Sequence, residues 1–151
     1  QREVNIRQLA EGVLDGLREM ADKKRVQLKN SVPENLTLFA DSQRLFQALN
    51  NLVENGIKYG GECVCISASQ ANGELDLCVE DDGPGIPAEA CDRIFERFFR
   101  VDKARSRELG GTGLGLSIVK HITQLHDGTA RVESKLGQGA SFHLTFPTPQ
   151  T

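Results

Sequence analysis

The 151-residue sequence has no long hydrophobic run, no block of like charges, no internal repeat and no low-complexity segment. Its apolar runs fall far short of the roughly 18 residues that a membrane-spanning helix needs. No signal peptide opens the chain, so we expect a soluble piece of protein. The formal net charge is −3, and the composition gives no reason to expect binding to nucleic acid or to an anionic membrane.

Cysteine occurs only four times, at positions 63, 65, 78 and 91. A zinc site requires C-x2-C pairs or accompanying histidines, and neither pattern is present. Cys63 and Cys65 alternate in a strand-like run and therefore share one face of a strand. We expect the reduced, half-buried cysteines of a cytosolic protein.

The residues that are present suit a globular domain. Hydrophobic residues make up 38% and charged residues 26% of the chain, which is long enough to bury a core. We expect a single domain over residues 1–151. The opening "QREVNIRQLA" has no initial Met, so we also expect the chain to be a fragment of a longer parent.

Periodicity and turn signals predict helices mixed with antiparallel hairpins. The predicted elements are a strand and an amphipathic helix within 4–25, strands at 26–32 and 36–40, a helix at 41–59 that Gly60 closes, a hairpin of 63–70 with 74–80, a short helix near 88–95, a helix ending near 127, and strands at 129–134 and 140–146. This order favours an α/β sandwich with a mixed sheet over a doubly wound parallel sheet.

The helix at 41–59 has two distinct sides. Its apolar arc, at 100° per residue, consists of Leu45, Leu49, Leu52, Val53 and Ile57. Asn51, Asn55 and Lys58 fall together on the opposite side, with Tyr59 near the edge. Amide oxygens suit a hard cation, and a lysine supplies a point charge for phosphate. A solvated helix face explains the pattern equally well, so this signal is weak alone.

The segment "VEDDGPGIP", residues 79–87, follows directly from a predicted strand that ends at Asp81. Gly83 and Gly85 permit a tight turn or the close approach of a flat ring. A carboxylate beside them can accept a hydrogen bond from an amino group, such as the exocyclic amine of a base. A simple surface turn is the competing interpretation.

The run "GGTGLGL", residues 110–116, places four glycines before a predicted helix, although glycine costs a helix interior about 1 kcal/mol relative to alanine. Leu116 stands where a Walker loop needs lysine and a dinucleotide fingerprint needs its third glycine, so both motifs fail. A glycine-rich strip that delivers backbone N–H groups and a helix N-terminus to phosphates remains. The stretch from Asp81 to Gly110 has little predicted structure, which favours a lid.

Together these segments resemble the catalytic, ATP-binding domain of bacterial sensor histidine kinases. Residues 51–59 resemble that family's N box, 81–86 its G1 box, 94–102 its F box and 111–122 its G2 box, in matching order and spacing. The resemblance covers essentially the whole chain. It implies a Bergerat-type fold, in which a mixed, largely antiparallel sheet packs on three main helices, with a mobile ATP lid over about 87–111. Gyrase, the heat-shock chaperone ATPase and the mismatch-repair ATPase share this two-layer sandwich.

The resemblance also implies that ATP and Mg²⁺ bind to particular residues. Asn55 is expected to ligate Mg²⁺, Asn51 and Lys58 to support the phosphates, and Tyr59 to lie against the nucleotide. Asp81 is expected to accept a hydrogen bond from the adenine amine. We choose Asp81 over its neighbour because the family's carboxylate precedes a variable residue and then the glycine.

The remaining implied contacts lie in the loops. The residues expected to shape the adenine pocket are Gly83, Gly85 and Ile86, and those expected to anchor the lid are Phe95 and Phe98. The residues expected to wrap the phosphates are Gly111, Thr112, Gly113, Leu114, Gly115 and Leu116. Arg100 is expected to reach the γ-phosphate and to act in catalysis with Asn55 and Lys58.

Two glycines depart from the family pattern. Gly56 replaces the usual alanine and Gly60 a serine or threonine, and we expect both to affect helix stability more than function.

No histidine has the sequence context of the family's phosphoacceptor. His121 and His143 are predicted to be structural, and His126 lies at a helix end where a cation is favourable. We therefore expect a phosphoacceptor and dimerisation domain upstream of Gln1, in a homodimeric parent anchored in the membrane. The present domain is then cytoplasmic, with a response regulator as the downstream partner.

Two other functions fit the same fold. Anti-sigma-factor serine kinases resemble one another in carrying a glutamate where this chain has Asn51, and their lid lacks the "FERFFRVD" run. A pseudokinase or chaperone-like binding module performs no phosphotransfer, but intact Asn55 and Asp81 argue against it. An ATP titration followed by a transfer assay separates the three functions.

Overall fold

The computed structural model describes residues 1–99 and 115–148. Within them the helices are α1 (Ile6–Lys23), α2 (Ser42–Tyr59), α3 (Ala88–Cys91) and α4 (Gly115–Leu125). The strands are β1 (Arg2–Asn5), β2 (Gln27–Ser31), β3 (Thr37–Ala40), β4 (Cys63–Ala71), β5 (Glu74–Asp81), β6 (Thr129–Ser134) and β7 (Ala140–Pro147). The predicted order of elements is confirmed, although α3 is shorter than predicted.

Five of these strands form one sheet in the order β2-β4-β5-β7-β6. β2 runs parallel to β4, and the other three pairs are antiparallel. The predicted mixed, largely antiparallel sheet is therefore confirmed. β1 and β3 pair separately as a two-stranded antiparallel sheet. The sequence did not predict that separate pair, because alternation identifies strands but not their partners.

The three long helices pack on one face of the five-stranded sheet. Alternate residues of β5 and β7 point toward the helices and are buried: Leu75, Leu77, Val79, Phe142, Leu144 and Phe146. The predicted apolar arc of α2 is at most 3% exposed at every position. Burying each such side chain contributes about 1.5–3 kcal/mol, so these two faces form the main core.

Side-chain caps fix where the first two long helices begin. Asn5 Oδ1 accepts the N–H of Gln8 at 3.0 Å at the start of α1. Asp41 Oδ1 accepts the N–H of Gln43 at 3.1 Å, and Asp41 is the N-cap of α2, as predicted. Gly60 ends α2 in an extended conformation, with φ −87° and ψ −155°, rather than in a left-handed one.

His126 joins the end of α4 to the start of α2. Its Nε2 accepts the backbone N–H of Asp41 at 3.1 Å, and its Nδ1 lies 2.8 Å from the carbonyl oxygen of Ile122. Because Nε2 is the acceptor for the N–H of Asp41, Nδ1–H is the donor to Ile122. No described helix has the length and apolar character that crossing a membrane requires.

Candidate functional site

The C-terminal half of α2 lies directly against the end of β5. A Cβ on Gly56 would lie 3.0 Å from a methyl carbon of Val64 and 3.8 Å from Asp81 Cβ. A Cβ on Gly60 would lie 3.1 Å from both Cβ and Cγ of Asp81. The two glycines that depart from the family pattern thus stand where α2 approaches this carboxylate most closely.

Asp81 is the residue of β5 that turns its carboxylate toward this junction. It continues the inward series of Leu75, Leu77 and Val79 and is partly buried. Its Oδ1 accepts the N–H of Gly83 at 3.0 Å. Burial raises the pKa of the Asp81 carboxyl, an effect that the Gly83 N–H partly opposes. The carboxylate keeps acceptor capacity for a further donor.

The glycine turn after β5 is held by the connection between β6 and β7. The N–H of Ile86 donates to Ser134 Oγ at 2.8 Å, and that hydroxyl donates to the carbonyl of Gly139 at 2.6 Å. Gly85 has φ +79° and lies against the backbone of Lys135, where a side chain would clash. The turn therefore has one fixed shape at the mouth of the Asp81 site.

The polar side of α2 meets the start of α4. Asn51 Nδ2 donates to the carbonyl oxygen of Gly115 at 3.4 Å, across 64 residues of sequence. Asn55 lies one turn further along and is partly buried. Lys58 Nζ is 3.0 Å from Glu54 Oε1, so a phosphate contact requires Lys58 to exchange this partner. Tyr59 is also partly buried. The structure thus places Asn51 beside the first residue of α4, with Asn55 and Lys58 further along α2 toward its C-terminal end.

The phenylalanines predicted to anchor a lid differ in their surroundings. The edge of the Phe95 ring contacts Phe142 at an interplanar angle of 88°, with centroids 6.1 Å apart. Phe98 is 60% exposed, and the Arg97 guanidinium lies 5.4 Å from its ring centroid. Phe99, which was not predicted, packs against the core instead. Phe95 thus packs against β7 through Phe142, and the lid-anchoring roles of Phe95 and Phe98 stay predictions.

Several predicted positions lie outside the described residues: Arg100, Gly111, Thr112, Gly113, Leu114 and residues 100–111 of the predicted lid. Of the glycine run, Gly115 and Leu116 are described, and they form the first turn of α4. Leu116 packs partly against the core.

Sequence reasoning missed the role of Asp82. Its Oδ1 accepts the N–H groups of Glu62 and Cys63 at 2.8 and 2.9 Å, so it ties the loop after α2 to the turn after β5. The only sign of this role in the sequence was the pair of adjacent acids at the end of β5. Alternation along the strand puts the two carboxylates on opposite faces of the sheet and so distinguishes them.

The solvent-facing side of the sheet carries a second polar cluster. His143 Nδ1 lies 3.0 Å from Asp76 Oδ2, and its Nε2 lies 3.9 Å from Cys78 Sγ. Burial raises the pKa of the Cys78 thiol to about 11. The thiol therefore stays protonated near neutral pH, and this cluster has no activated nucleophile.

Comparison with known proteins gives a family match over most of the chain. Residues 40–150 match the family described as histidine kinase-, DNA gyrase B-, and HSP90-like ATPase. The sensor-like histidine kinase SenX3 of Mycobacterium tuberculosis is 47% identical over 129 residues, which are 84% of this chain and 32% of SenX3. The chain thus spans about a third of the length of that relative.

Solved structures show the same likeness. The catalytic domain of histidine kinase ThkA has a TM-score of 0.83 at 31% identity, over 97% of this chain and 94% of that domain. Full-length ShkA in complex with AMPPNP has a TM-score of 0.84 at 33% identity, over 99% of this chain and 32% of ShkA. The fold expected from the resemblance is confirmed, and a serine kinase of the anti-sigma type is not favoured.

Proposed function

Because the chain belongs to the histidine kinase catalytic domains, within the histidine kinase-, DNA gyrase B- and HSP90-like ATPases, we propose that it binds Mg²⁺-ATP and supplies the γ-phosphate to a histidine on a separate dimerisation domain. One observation carries the proposal. Near its C-terminal end, helix α2 lies against Asp81 at Gly56 and at the C-cap Gly60. Earlier in the same helix, Asn51 donates to the carbonyl oxygen of Gly115, the first residue of α4. A carboxylate for a base and a helix N-terminus for phosphates therefore border the same helix.

The adenine end of the nucleotide belongs at Asp81. The partly buried carboxylate accepts the hydrogen bond from the adenine amine, and the fixed turn at Gly85 and Ile86 forms the wall beside the ring. Full-length ShkA, which is 33% identical to this chain over 32% of its own length, is in complex with the ATP analogue AMPPNP, which supports the proposal that this chain binds a nucleotide.

The phosphates belong between α2 and the N-terminus of α4. Asn51 and Asn55 present amide groups there, and Lys58 contributes its charge once it leaves Glu54. The amide oxygen of Asn55 suits Mg²⁺, and its partly exposed position on the polar side of α2 leaves room for a ligand. Asn55 would hold the Mg²⁺, which would supply positive charge to offset the charge of the phosphates. We propose that Arg100 and residues 111–114 supply further contacts to the phosphates.

The acceptor histidine belongs to another part of the parent protein. His126 is engaged by the backbone of Asp41 and Ile122, and His143 lies on the opposite face of the sheet with Asp76. Phosphoryl transfer requires a nitrogen in line with the γ-phosphate, and neither ring can reach such a position without breaking these contacts. His121 is exposed on α4, the helix whose N-terminus is assigned to the phosphates, and we propose that its ring is not the acceptor either. The proposal therefore includes a dimerisation domain elsewhere in the parent protein. It also includes a response regulator downstream and a parent that is anchored in the membrane.

Calorimetry of the chain with ATP, with and without Mg²⁺, tests the nucleotide site. We expect Asn55→Ala to abolish the gain in affinity that Mg²⁺ gives while leaving adenosine binding almost unchanged. Asn50→Ala, a neighbouring amide on the same helix, is the matched control and should behave like the wild type. Loss of adenosine binding in Asn55→Ala would show that Asn55 is structural and that the metal role is wrong.

Transfer is tested with ATP labelled at the γ-phosphate. We expect no stable label on the isolated chain and an acid-labile phosphohistidine when the parent's dimerisation domain is added. Stable label on any of the three histidines of this chain would contradict the proposal.

A further inference from the structure

The loop between α2 and β4 is held in place from outside by Asp82. One oxygen of this carboxylate accepts two successive backbone N–H groups, those of Glu62 at 2.8 Å and Cys63 at 2.9 Å. These contacts join the last residue before β4 and the first residue of β4 to the turn that follows β5. Hydrogen bonds to a charged acceptor are among the stronger ones in proteins.

The same loop packs against Asp81 through glycines. A Cβ on Gly83 would lie 2.5 Å from Gly60 Cα, and a Cβ on Gly60 would lie 3.1 Å from Asp81 Cγ. A Cβ on Gly61 would lie 2.6 Å from Asp82 Oδ1. Since no side chain separates these groups, a shift of the loop changes the position available to the Asp81 carboxylate.

The two adjacent carboxylates have opposite environments. The N–H groups of Cys63 and Glu62 lower the pKa of the Asp82 carboxyl, whereas burial raises the pKa of Asp81. Asp82 is exposed, and its carboxylate accepts from the backbone of Glu62 and Cys63. It therefore remains a charged acceptor for the loop, while Asp81 faces the site.

We propose that Asp82 is a positioning residue for nucleotide recognition, which fixes residues 60–63 and thereby holds Asp81 where it accepts the hydrogen bond from the adenine amine. Asp82 itself touches no atom of the nucleotide. The inference rests on the proposed function, because it concerns the same site and deepens the role of Asp81.

Titration calorimetry with two nucleotides tests the inference. Mg²⁺-ATP is compared with the Mg²⁺ complex of purine riboside triphosphate, which lacks the 6-amino group. In the wild type we expect ATP to bind at least about tenfold more tightly, since the hydrogen bond to Asp81 is charge-assisted. In Asp82→Ala we expect about tenfold weaker ATP binding and a ratio between the two ligands that falls toward one.

Two further variants separate positioning from general destabilisation. Asp82→Asn keeps an oxygen that accepts hydrogen bonds but carries no charge. Because uncharged hydrogen bonds are weaker, the ligand ratio should return to within about threefold of the wild-type value rather than fully. Glu80→Ala removes a nearby carboxylate that accepts from Ser141 Oγ at 3.1 Å on the outer face of the sheet, and it should leave the ratio unchanged.

A less stable Asp82→Ala with an unchanged ligand ratio would overturn the inference, because a purely structural residue weakens both ligands alike. Amide exchange without nucleotide is a second measurement: the N–H groups of Glu62 and Cys63 should exchange faster in Asp82→Ala, and equal rates would overturn the inference. If that variant does not fold, Asp82→Glu, which displaces the carboxylate by one methylene, takes its place. If the wild type binds neither nucleotide, the proposed function is overturned. If the wild type binds ATP and the variant keeps the wild-type ligand ratio, only the role of Asp82 is overturned.

Discussion

We expect the substitution Asp81→Asn to change the stability of the fold and its affinity for nucleotide in opposite directions. Asp81→Asn preserves the size of the side chain and an oxygen that accepts the N–H of Gly83, but removes the charge. Burial raises the pKa of Asp81, so the ionised carboxylate is less favourable in the folded chain than in the unfolded one. We therefore expect the free energy of unfolding of the ligand-free variant, relative to that of the wild type, to be larger at pH 7 than at pH 4.

The pH dependence follows from the direction of that pKa shift. The folded chain retains the Asp81 proton over a range in which the unfolded chain has lost it. The contribution of Asp81 to wild-type stability therefore falls as pH rises from about 4, the ordinary value in the unfolded chain, through the raised pKa of the folded state. Asparagine does not titrate there, so the advantage of the variant should grow across this range and stay constant above it.

Nucleotide affinity should change in the opposite direction. The amide of asparagine mispairs with the adenine amine, and losing a charge-assisted hydrogen bond costs about 1.5–3 kcal/mol. That cost corresponds to a roughly 10- to 150-fold increase in Kd for ATP. The preference for ATP over GTP should fall as well, because GTP carries a carbonyl where ATP carries the amine.

Urea denaturation between pH 4.5 and 8 measures the stability difference, and calorimetry measures the affinity. Glu80→Gln, an exposed acid on the same strand, is the matched control and should change neither quantity appreciably. A stability difference that does not vary with pH would refute burial as the dominant influence on Asp81. Unchanged ATP affinity would refute the adenine contact.

Three further predictions concern the scaffold. Leu49→Ala, at a fully buried site of α2, should lower the free energy of unfolding by about 2–5 kcal/mol in urea denaturation, whereas Phe39→Ala, at a side chain 63% exposed, should change it by less than about 1 kcal/mol. Cys78, with a pKa of about 11, should be alkylated by iodoacetamide at pH 8 much more slowly than the partly exposed Cys65, as peptide mass spectrometry can follow; equal rates would contradict its burial. His126→Ala should cost about 1–3 kcal/mol in thermal or urea unfolding, because it leaves a partly buried N–H at the start of α2 without its acceptor. An unchanged midpoint would show that the ring does not join the two helices.

The elements of the fold could be read from the sequence because each has a local cause. The cap at Asp41, the apolar arc of α2 and the alternation along β5 depend on neighbouring residues alone. The pairing of β1 with β3 and the bridge from His126 to Asp41 join residues far apart in the chain. Local patterns carry no information on such contacts, so the sequence located His126 at a helix end without revealing its bond to the backbone of Asp41.

The candidate site was predictable as a set of segments but not as an arrangement. The motifs named Asn51, Asn55 and Asp81, and the structure brings their elements together. The reason for glycine at position 60 became clear only from its approach to Asp81, and the loop contact of Asp82 only from backbone N–H groups 20 residues away. Lys58 was expected to face phosphate directly, while its pairing with Glu54 depends on the rotamers of two long side chains.

The location of the bound nucleotide is the central claim, and backbone amide shifts during a titration with Mg²⁺-AMPPNP test it most directly. The largest changes among the described residues should fall in 51–61, 81–86 and 115–118, which border α2, the turn after β5 and the start of α4. Amides on the outer face of the sheet, in 65–69 and 141–145, should shift little. Changes concentrated on that outer face, with none at Asp81 or Asn55, would contradict the account.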